Sequence, residues 1–164
     1  MLHAALALID KHRISGAVFD TNLTLVLLVG GYDPSRLETF KRTMAFGPKE
    51  YLLLDRLCKR CGRRLTTPNV LTEVDNLSRQ LPEKEHAAIA ERLKALVTDM
   101  FEIYHESSLF LGEEMHKKVG LTDALLMKLL ESHLVVTADF PLARRLETLG
   151  RDVINFNHLR RYAG

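Results

Sequence analysis

Four acidic residues that follow short apolar runs are the side chains best suited to chemistry in this sequence. They are Asp20, Glu73, Asp123 and Asp139. In a folded α/β domain, the ends of strands and the starts of the helices that follow them meet at one edge of the sheet, where ligands bind. Carboxylates gathered there repel one another unless a cation lies between them. Hard oxygen ligands without a matching set of His or Cys favour Mg²⁺ or Mn²⁺ over zinc, so the pattern predicts metal-assisted phosphodiester hydrolysis.

The elements that must position these acids alternate between short strands and helices. This alternation predicts an α/β fold, a three-layer α/β/α sandwich with a short, mostly parallel central sheet. Strands are predicted at 17–20, 65–67, 101–104, 134–137 and 152–156. Helices are predicted at 3–13, 35–45, 49–60, 83–99, 108–118 and 142–149, with two more starting at 68 and 122.

Local signals sharpen some of these boundaries. Thr67 is a good N-cap with Pro68 at the first helical position, and Gly150 is a good helix terminator. Residues 23–29 are apolar enough to be core in either a helix or a strand. Gly30–Gly31 and Asp33–Pro34 are expected to break that run.

The size and composition fit a single domain spanning residues 1–164. The chain has 164 residues, of which 46% are hydrophobic and 27% charged. It contains no run of roughly 18 apolar residues, the length that a membrane span needs. Residues 2–9 are apolar but lack the basic start of a signal peptide, so we expect a cytoplasmic protein with no membrane partner.

The two cysteines, Cys58 and Cys61, form a single Cys-x-x-Cys motif. One such pair cannot complete a tetrahedral zinc site, and no His pair stands at finger spacing. A redox pair is expected just after a strand, whereas residues 51–57 read as a helix. We therefore expect a structural or incidental role.

Positive charge is concentrated in one segment, although the net charge is only +2. Between Arg36 and Arg64 there are nine basic residues and three acidic ones. Such a stretch suits a polyanionic backbone, and a solvated helix face is the simpler interpretation of any one charge run.

Four short motifs and a final helix-to-strand turn follow one another along the chain. They are VFDTN at 18–22, PNVLTE at 68–73, LTDALL at 121–126, VVTADFPLA at 135–143 and LGRDVI at 149–154. In these segments and in their order, the sequence resembles the PIN-domain family of metal-dependent ribonucleases. Each motif alone is weak; their order and their strand or helix context give the resemblance its weight.

The resemblance implies a catalytic and metal-binding quartet of Asp20, Glu73, Asp123 and Asp139. It also implies supporting polar neighbours, Asn22 and Thr137. The implied activity is endoribonuclease hydrolysis, in which a water activated by Mg²⁺ or Mn²⁺ attacks an RNA phosphodiester in line and leaves a 5′-phosphate. The preference for RNA over DNA comes from the resemblance only.

The sequence departs from compact family members in its basic segment at about 33–64. We expect a helical insertion there that grips RNA through Lys41, Arg42, Lys59 and Arg60. Because of this insertion, the toxin of a toxin–antitoxin pair, with an antitoxin as its protein partner, and an RNA-processing or defence nuclease both stay open. A homodimer also stays open, because apolar stretches such as 23–29 could self-associate.

The sequence also allows two rival functions. A haloacid-dehalogenase-like phosphatase needs a second carboxylate two residues after its nucleophile, and the residue two after Asp20 is Asn22, which cannot shuttle a proton. The other rival is a catalytically silent PIN-like RNA-binding or scaffold protein. Taken singly, Asp20, Asp123 and Asp139 are each explained by a capping role alone, and Asp75 is a rival to Glu73 for facing the site.

Overall fold

The protein is an α/β fold built on one parallel sheet. In the computed structural model, the described residues are 1–106, 108, 120, 122, 124 and 132–163. The five described strands are all parallel, in the order β3-β2-β1-β4-β5. Their bounds are β1 Ala17–Phe19, β2 Arg64–Thr66, β3 Phe101–Glu102, β4 Leu134–Thr137 and β5 Val153–Asn155. This confirms the predicted three-layer sandwich.

Seven described α-helices surround the sheet. They are α1 Leu2–Lys11, α2 Thr21–Tyr32, α3 Arg36–Thr39, α4 Pro48–Arg60, α5 Pro68–Ser78, α6 His86–Thr98 and α7 Phe140–Thr148. Short 3₁₀ turns lie at Glu83–Glu85, Phe156–His158 and Arg160–Tyr162. The helix predicted at 35–45 was too long, since α3 covers only four residues. The helix predicted at 108–118 lies outside the described residues.

The order of strands reverses next to β1. This strand pairs with β2 on one side and with β4 on the other, so that Val18 has both Leu65 and Val135 as neighbours. The chain moves from β1 outward through β2 and β3, and β4 and β5 lie on the other side of β1. In open α/β sheets, ligands bind at the carboxyl ends of the two strands that flank such a reversal. Here that place lies between the ends of β1 and β4.

Each face of the sheet has its own apolar core, because successive strand residues point to opposite faces. Phe19 packs into the larger core with the buried residues of α2. Val18 points the other way and packs with Leu142 and Leu146 of α7. Residues 23–29 are entirely buried within this chain, so they offer no surface for the dimer that their composition suggested.

The two glycines predicted to break this run lie inside α2, which continues to Tyr32. A Cβ atom on Gly30 would lie 2.7 Å from Cγ of Tyr51, and one on Gly31 would lie 2.7 Å from Cζ of Arg92. The prediction of a break at these glycines was wrong, whereas the break predicted at Asp33–Pro34 is confirmed, because α2 ends at Tyr32. The absence of a side chain on Gly30 lets α4 pack closely against α2.

The predicted caps are confirmed. Thr67 accepts a hydrogen bond from the backbone N–H of Val70 at 3.3 Å, with Pro68 at the first helical position of α5. Gly150, just beyond α7, has a φ of 68°, in the left-handed region that favours glycine. These caps orient the helices that follow β2 and β4.

Cys58 and Cys61 are free thiols buried at the end of α4. Burial raises the pKa of Cys58 to about 11 and that of Cys61 to about 12. Because the thiolate is the reactive form of cysteine, these residues are poor nucleophiles at neutral pH. Their surroundings agree with the expected structural role.

The first helix is tied to the entrance of β5 by a polar cluster. Asp152 Oδ2 lies 2.5 Å from Lys11 Nζ and 2.7 Å from His12 Nε2, and His12 Nδ1 lies 2.9 Å from Ser15 Oγ. The hydrogen bond from Lys11, followed by that from His12, lowers the pKa of Asp152. The charged carboxylate is therefore favoured in the folded protein.

We expect this cluster to make folding acid-sensitive in a defined direction. Because the pKa of Asp152 is lowered on folding, its contribution to stability is present above its unfolded pKa of about 3.9 and is lost as the pH falls through its folded pKa. In urea unfolding between about pH 2 and pH 5, an Asp152→Asn variant should show a flatter dependence of the unfolding free energy on pH than the unmodified protein. Parallel curves would contradict this account.

Within the described part of the chain, no helix is both long enough and apolar enough to cross a membrane.

Candidate active site

Asp20 lies at the carboxyl end of β1 and is almost completely buried, with 4% of its surface exposed. Its Oδ1 accepts the N-cap hydrogen bond from the backbone N–H of Leu23 at 2.7 Å. Its Oδ2 accepts hydrogen bonds from Thr137 Oγ1 and, at 2.9 Å, from the backbone N–H of Ala138. Burial raises the pKa of Asp20 despite these three donors. A nearby cation would offset the cost of keeping this carboxylate ionised.

Asp139 lies at the carboxyl end of β4, on the other side of the strand reversal. Its Oδ1 caps α7 by accepting a hydrogen bond from the backbone N–H of Leu142 at 2.7 Å. Thr137 joins the two acids, because its hydroxyl donates to Asp20 and accepts from the backbone N–H of Asp139 at 2.9 Å. After burial, the negative charge of Asp139 is a further, smaller cause of the raised pKa of Asp20. The two carboxylates are therefore electrostatic neighbours.

Glu73 reaches the same edge of the sheet from α5. Its Oε2 accepts a hydrogen bond from Thr21 Oγ1 at 2.9 Å, and Thr21 is the residue directly after Asp20. Asp75, the rival to Glu73, instead pairs with Arg79 on its own helix at 3.0 Å. Of these two acids, the contact with the first turn of α2 therefore belongs to Glu73.

Asp123, the fourth predicted acid, lies outside the described residues. Thr122, which is described, lines the same cavity as Glu73. Among the residues that the structure describes, no group of three or more His, Cys, Asp or Glu side chains is close enough to hold a metal ion. The described part of the site therefore consists of the neighbouring pair Asp20 and Asp139, with Glu73 linked to it through Thr21.

The pair has lone pairs left for a cation. A carboxylate offers about four acceptor positions, and Asp20 uses three of them for hydrogen bonds. Asp139 Oδ2 accepts no hydrogen bond from a described residue. Mg²⁺ keeps several of its waters and is commonly bound by only one or two carboxylates, so these oxygens fit such an ion.

The two predicted polar neighbours of the acids, Thr137 and Asn22, lie in different surroundings. Thr137 is buried and bonded to Asp20, as a supporting residue should be. Asn22 is exposed in the first turn of α2. Thr21 was missed, although a hydroxyl directly after a strand-end acid was a usable signal. Its contact with Glu73 spans 52 positions and is visible only in the fold.

The predicted RNA-gripping residues do not share one place. Lys59 and Arg60 lie at the end of α4, shortly before β2 begins, which puts them at the amino edge of the sheet. Lys59 pairs with Asp55 at 2.6 Å, and Arg60 pairs with Asp10 at 2.8 Å. The acids lie at the opposite, carboxyl edge.

The other two predicted residues lie earlier in the basic segment. Arg42 Nε donates to Gln80 Oε1 at 2.9 Å, and Lys41 is exposed. Nor is the segment an appendage, because Leu54 and Leu57 of α4 are buried in the larger core. The segment therefore contributes to the core as well as to the charged surface.

A cavity of about 510 Å³ lies beside Glu73. Residues along most of α5 form one wall, and the segment after β3 contributes Tyr104 and His105. The lining residues are Pro68, Asn69, Thr72, Glu73, Asn76, Tyr104, His105 and Thr122. Since α5 follows β2 and Tyr104 follows β3, this cavity continues the acidic edge of the sheet.

Comparison of the chain with protein-family models, with curated proteins and with solved structures finds no match. The resemblance to PIN domains therefore stays a prediction from the residues.

Proposed function

We propose that this protein is a PIN-type endoribonuclease that depends on Mg²⁺ or Mn²⁺. The observation that carries the proposal is the pairing of Asp20 and Asp139 across the strand reversal, joined by the hydroxyl of Thr137. A parallel α/β sheet binds ligands at this place. Burial also disfavours the charged form of a carboxylate, and carboxylates perturbed in this way recur at functional sites.

Some of the described residues would hold the cation, and others orient the acidic side chains. Asp20 and Asp139 would hold the cation, and Thr137 fixes the position of Asp20. Glu73 is exposed, and the hydroxyl of Thr21 orients it. In this proposal Glu73 would accept a proton from the attacking water. The cation would polarise that water and stabilise charge on the phosphate. Asp123 is assigned as the fourth acid on the resemblance alone.

A catalytically silent RNA-binding or scaffold protein is the second candidate. The observation in its favour is that Asp20 and Asp139 both cap helices, α2 and α7. Capping alone is a sufficient structural reason for an Asp at either position. A cleavage assay separates the two candidates. The nuclease degrades single-stranded RNA with Mn²⁺ and stops in EDTA, whereas the scaffold leaves the RNA intact in both.

We expect Mn²⁺ to raise the melting temperature. A ligand at 100 times its Kd stabilises the folded state by about 2.7 kcal/mol, which for a domain of this size corresponds to roughly 5–10 °C. Differential scanning fluorimetry with Mn²⁺ and with EDTA measures the shift. It should disappear in Asp20→Asn and persist in Asp33→Asn, a change at the opposite end of α2. A shift of equal size in both variants would show that the ion binds elsewhere.

A further inference from the structure

The cavity beside Glu73 has a lining that suits a neutral, planar ligand. Its described lining includes no Lys or Arg, and Glu73 adds a carboxylate to one wall. The carboxylate of Glu73 would repel a phosphate group on its wall unless a cation accompanied it. A flat heterocycle carries no such charge.

Tyr104 supplies an aromatic surface in this cavity. Tyr104 is a large aromatic residue that is 70% exposed. Its hydroxyl donates a hydrogen bond to Glu102 Oε2 at 2.7 Å, which restrains the ring from its far end. An exposed aromatic ring of this kind can stack on any base, because every base has a π-face.

The opposite wall supplies amide groups. Asn69 and Asn76 project from α5, and within the described residues neither side-chain amide makes a hydrogen bond to protein. Each amide offers both a donor and an acceptor. This combination matches the edges of unpaired bases, which proteins recognise by stacking and hydrogen bonding together.

We propose that this cavity is a nucleobase subsite, where an unpaired base of the RNA stacks on Tyr104 while Asn69 and Asn76 contact its edge. The inference rests on the proposed function, since it deepens the account of the substrate. A base can enter the cavity only after leaving its own stack. The subsite therefore selects single-stranded RNA over duplex RNA.

Binding of a fluorescently labelled single-stranded RNA, measured by anisotropy in EDTA, tests the subsite without cleavage. Tyr104→Ala should raise the Kd roughly 5- to 100-fold, because stacking on an aromatic residue contributes about that much per base. Tyr104→Phe should stay within about twofold, because stacking does not need the hydroxyl. Phe101→Ala is the matched control, since Phe101 is also an exposed aromatic, at 53%, and does not line the cavity.

A second experiment tests whether the loss of affinity in Tyr104→Ala comes from a lost contact with a base. An oligonucleotide series with one abasic nucleotide at each position should reveal a position that weakens binding to the unmodified protein but adds nothing in Tyr104→Ala. Duplex RNA should bind Tyr104→Ala and the unmodified protein alike. The subsite proposal is overturned if the abasic nucleotide and Tyr104→Ala weaken binding additively, or if Tyr104→Ala weakens the binding of duplex RNA equally.

The subsite and the nuclease proposal fail in different ways. If Mn²⁺-dependent cleavage occurs while Tyr104→Ala binds and cleaves normally, the subsite is wrong and the nuclease stands. If no RNA is cleaved, but Tyr104→Ala weakens RNA binding only when the base at the sensitive position is present, the nuclease proposal is wrong and the subsite stands.

Discussion

Asp20→Asn should abolish most of the Mn²⁺-dependent cleavage of single-stranded RNA, with a loss of at least about 100-fold in initial rate. Changes to groups that merely support a metal ligand cost 10- to 100-fold, and Asp20 is proposed to hold the ion directly. The change removes one negative charge and keeps the size and shape of the side chain. The loss should therefore appear in turnover of labelled RNA by a protein that is still folded.

The folded state of the same variant should be moderately weakened. The amide oxygen can keep the cap on Leu23, but the amide nitrogen would face the two donors that now serve Oδ2. Losing such partners costs about 1–3 kcal/mol, and removing a buried charge offsets part of that cost. Circular dichroism and urea unfolding measure both effects.

Asp33→Asn is the matched control for this prediction. Asp33 is the C-cap of α2, and its Oδ1 accepts hydrogen bonds from the backbone N–H and the hydroxyl of Ser35. The amide oxygen of Asn can accept the same bonds, so activity and stability should both be retained. Equal cleavage rates in the two variants would show that Asp20 has no catalytic part.

The position of Asp20 and Asp139 at one edge could be predicted because it depends only on local patterns. Both acids end short buried runs, and alternation of strands with helices implied parallel strands, whose ends share an edge. The pairing of β1 with β4 rather than a more distant strand is a property of the whole topology. The sequence therefore predicted that both acids lie at the carboxyl edge of the sheet, and the structure shows that their strands are neighbours.

Charge counting does not indicate at which edge of the sheet a basic residue lies, because the direction of its helix decides this. Lys59 and Arg60 belong to the most basic segment, but α4 carries them to the amino edge before β2 begins. Their partners Asp55 and Asp10 lie 4 and 50 positions away along the chain. The composition of the segment shows neither the edge of the sheet at which these residues lie nor the acidic residues with which they pair.

An added methyl group at Gly30 should destabilise the folded protein, because the ring of Tyr51 occupies the space. Gly30→Ala adds a methyl group against an aromatic ring on a packed helix, and overpacking of this kind costs about 1–3 kcal/mol. The better helix propensity of Ala returns up to about 1 kcal/mol. Urea unfolding should therefore show a net loss of about 1–2 kcal/mol.

Gly31→Ala is the control that isolates the steric cause. The two glycines are neighbours in α2 and gain the same helix propensity, but the group opposite Gly31 is the far end of Arg92, a flexible side chain. Since Arg92 can move aside, Gly31→Ala should be neutral or stabilising by up to about 1 kcal/mol. If both variants lose the same stability, the loss does not come from the ring of Tyr51, and the steric explanation for Gly30 is wrong.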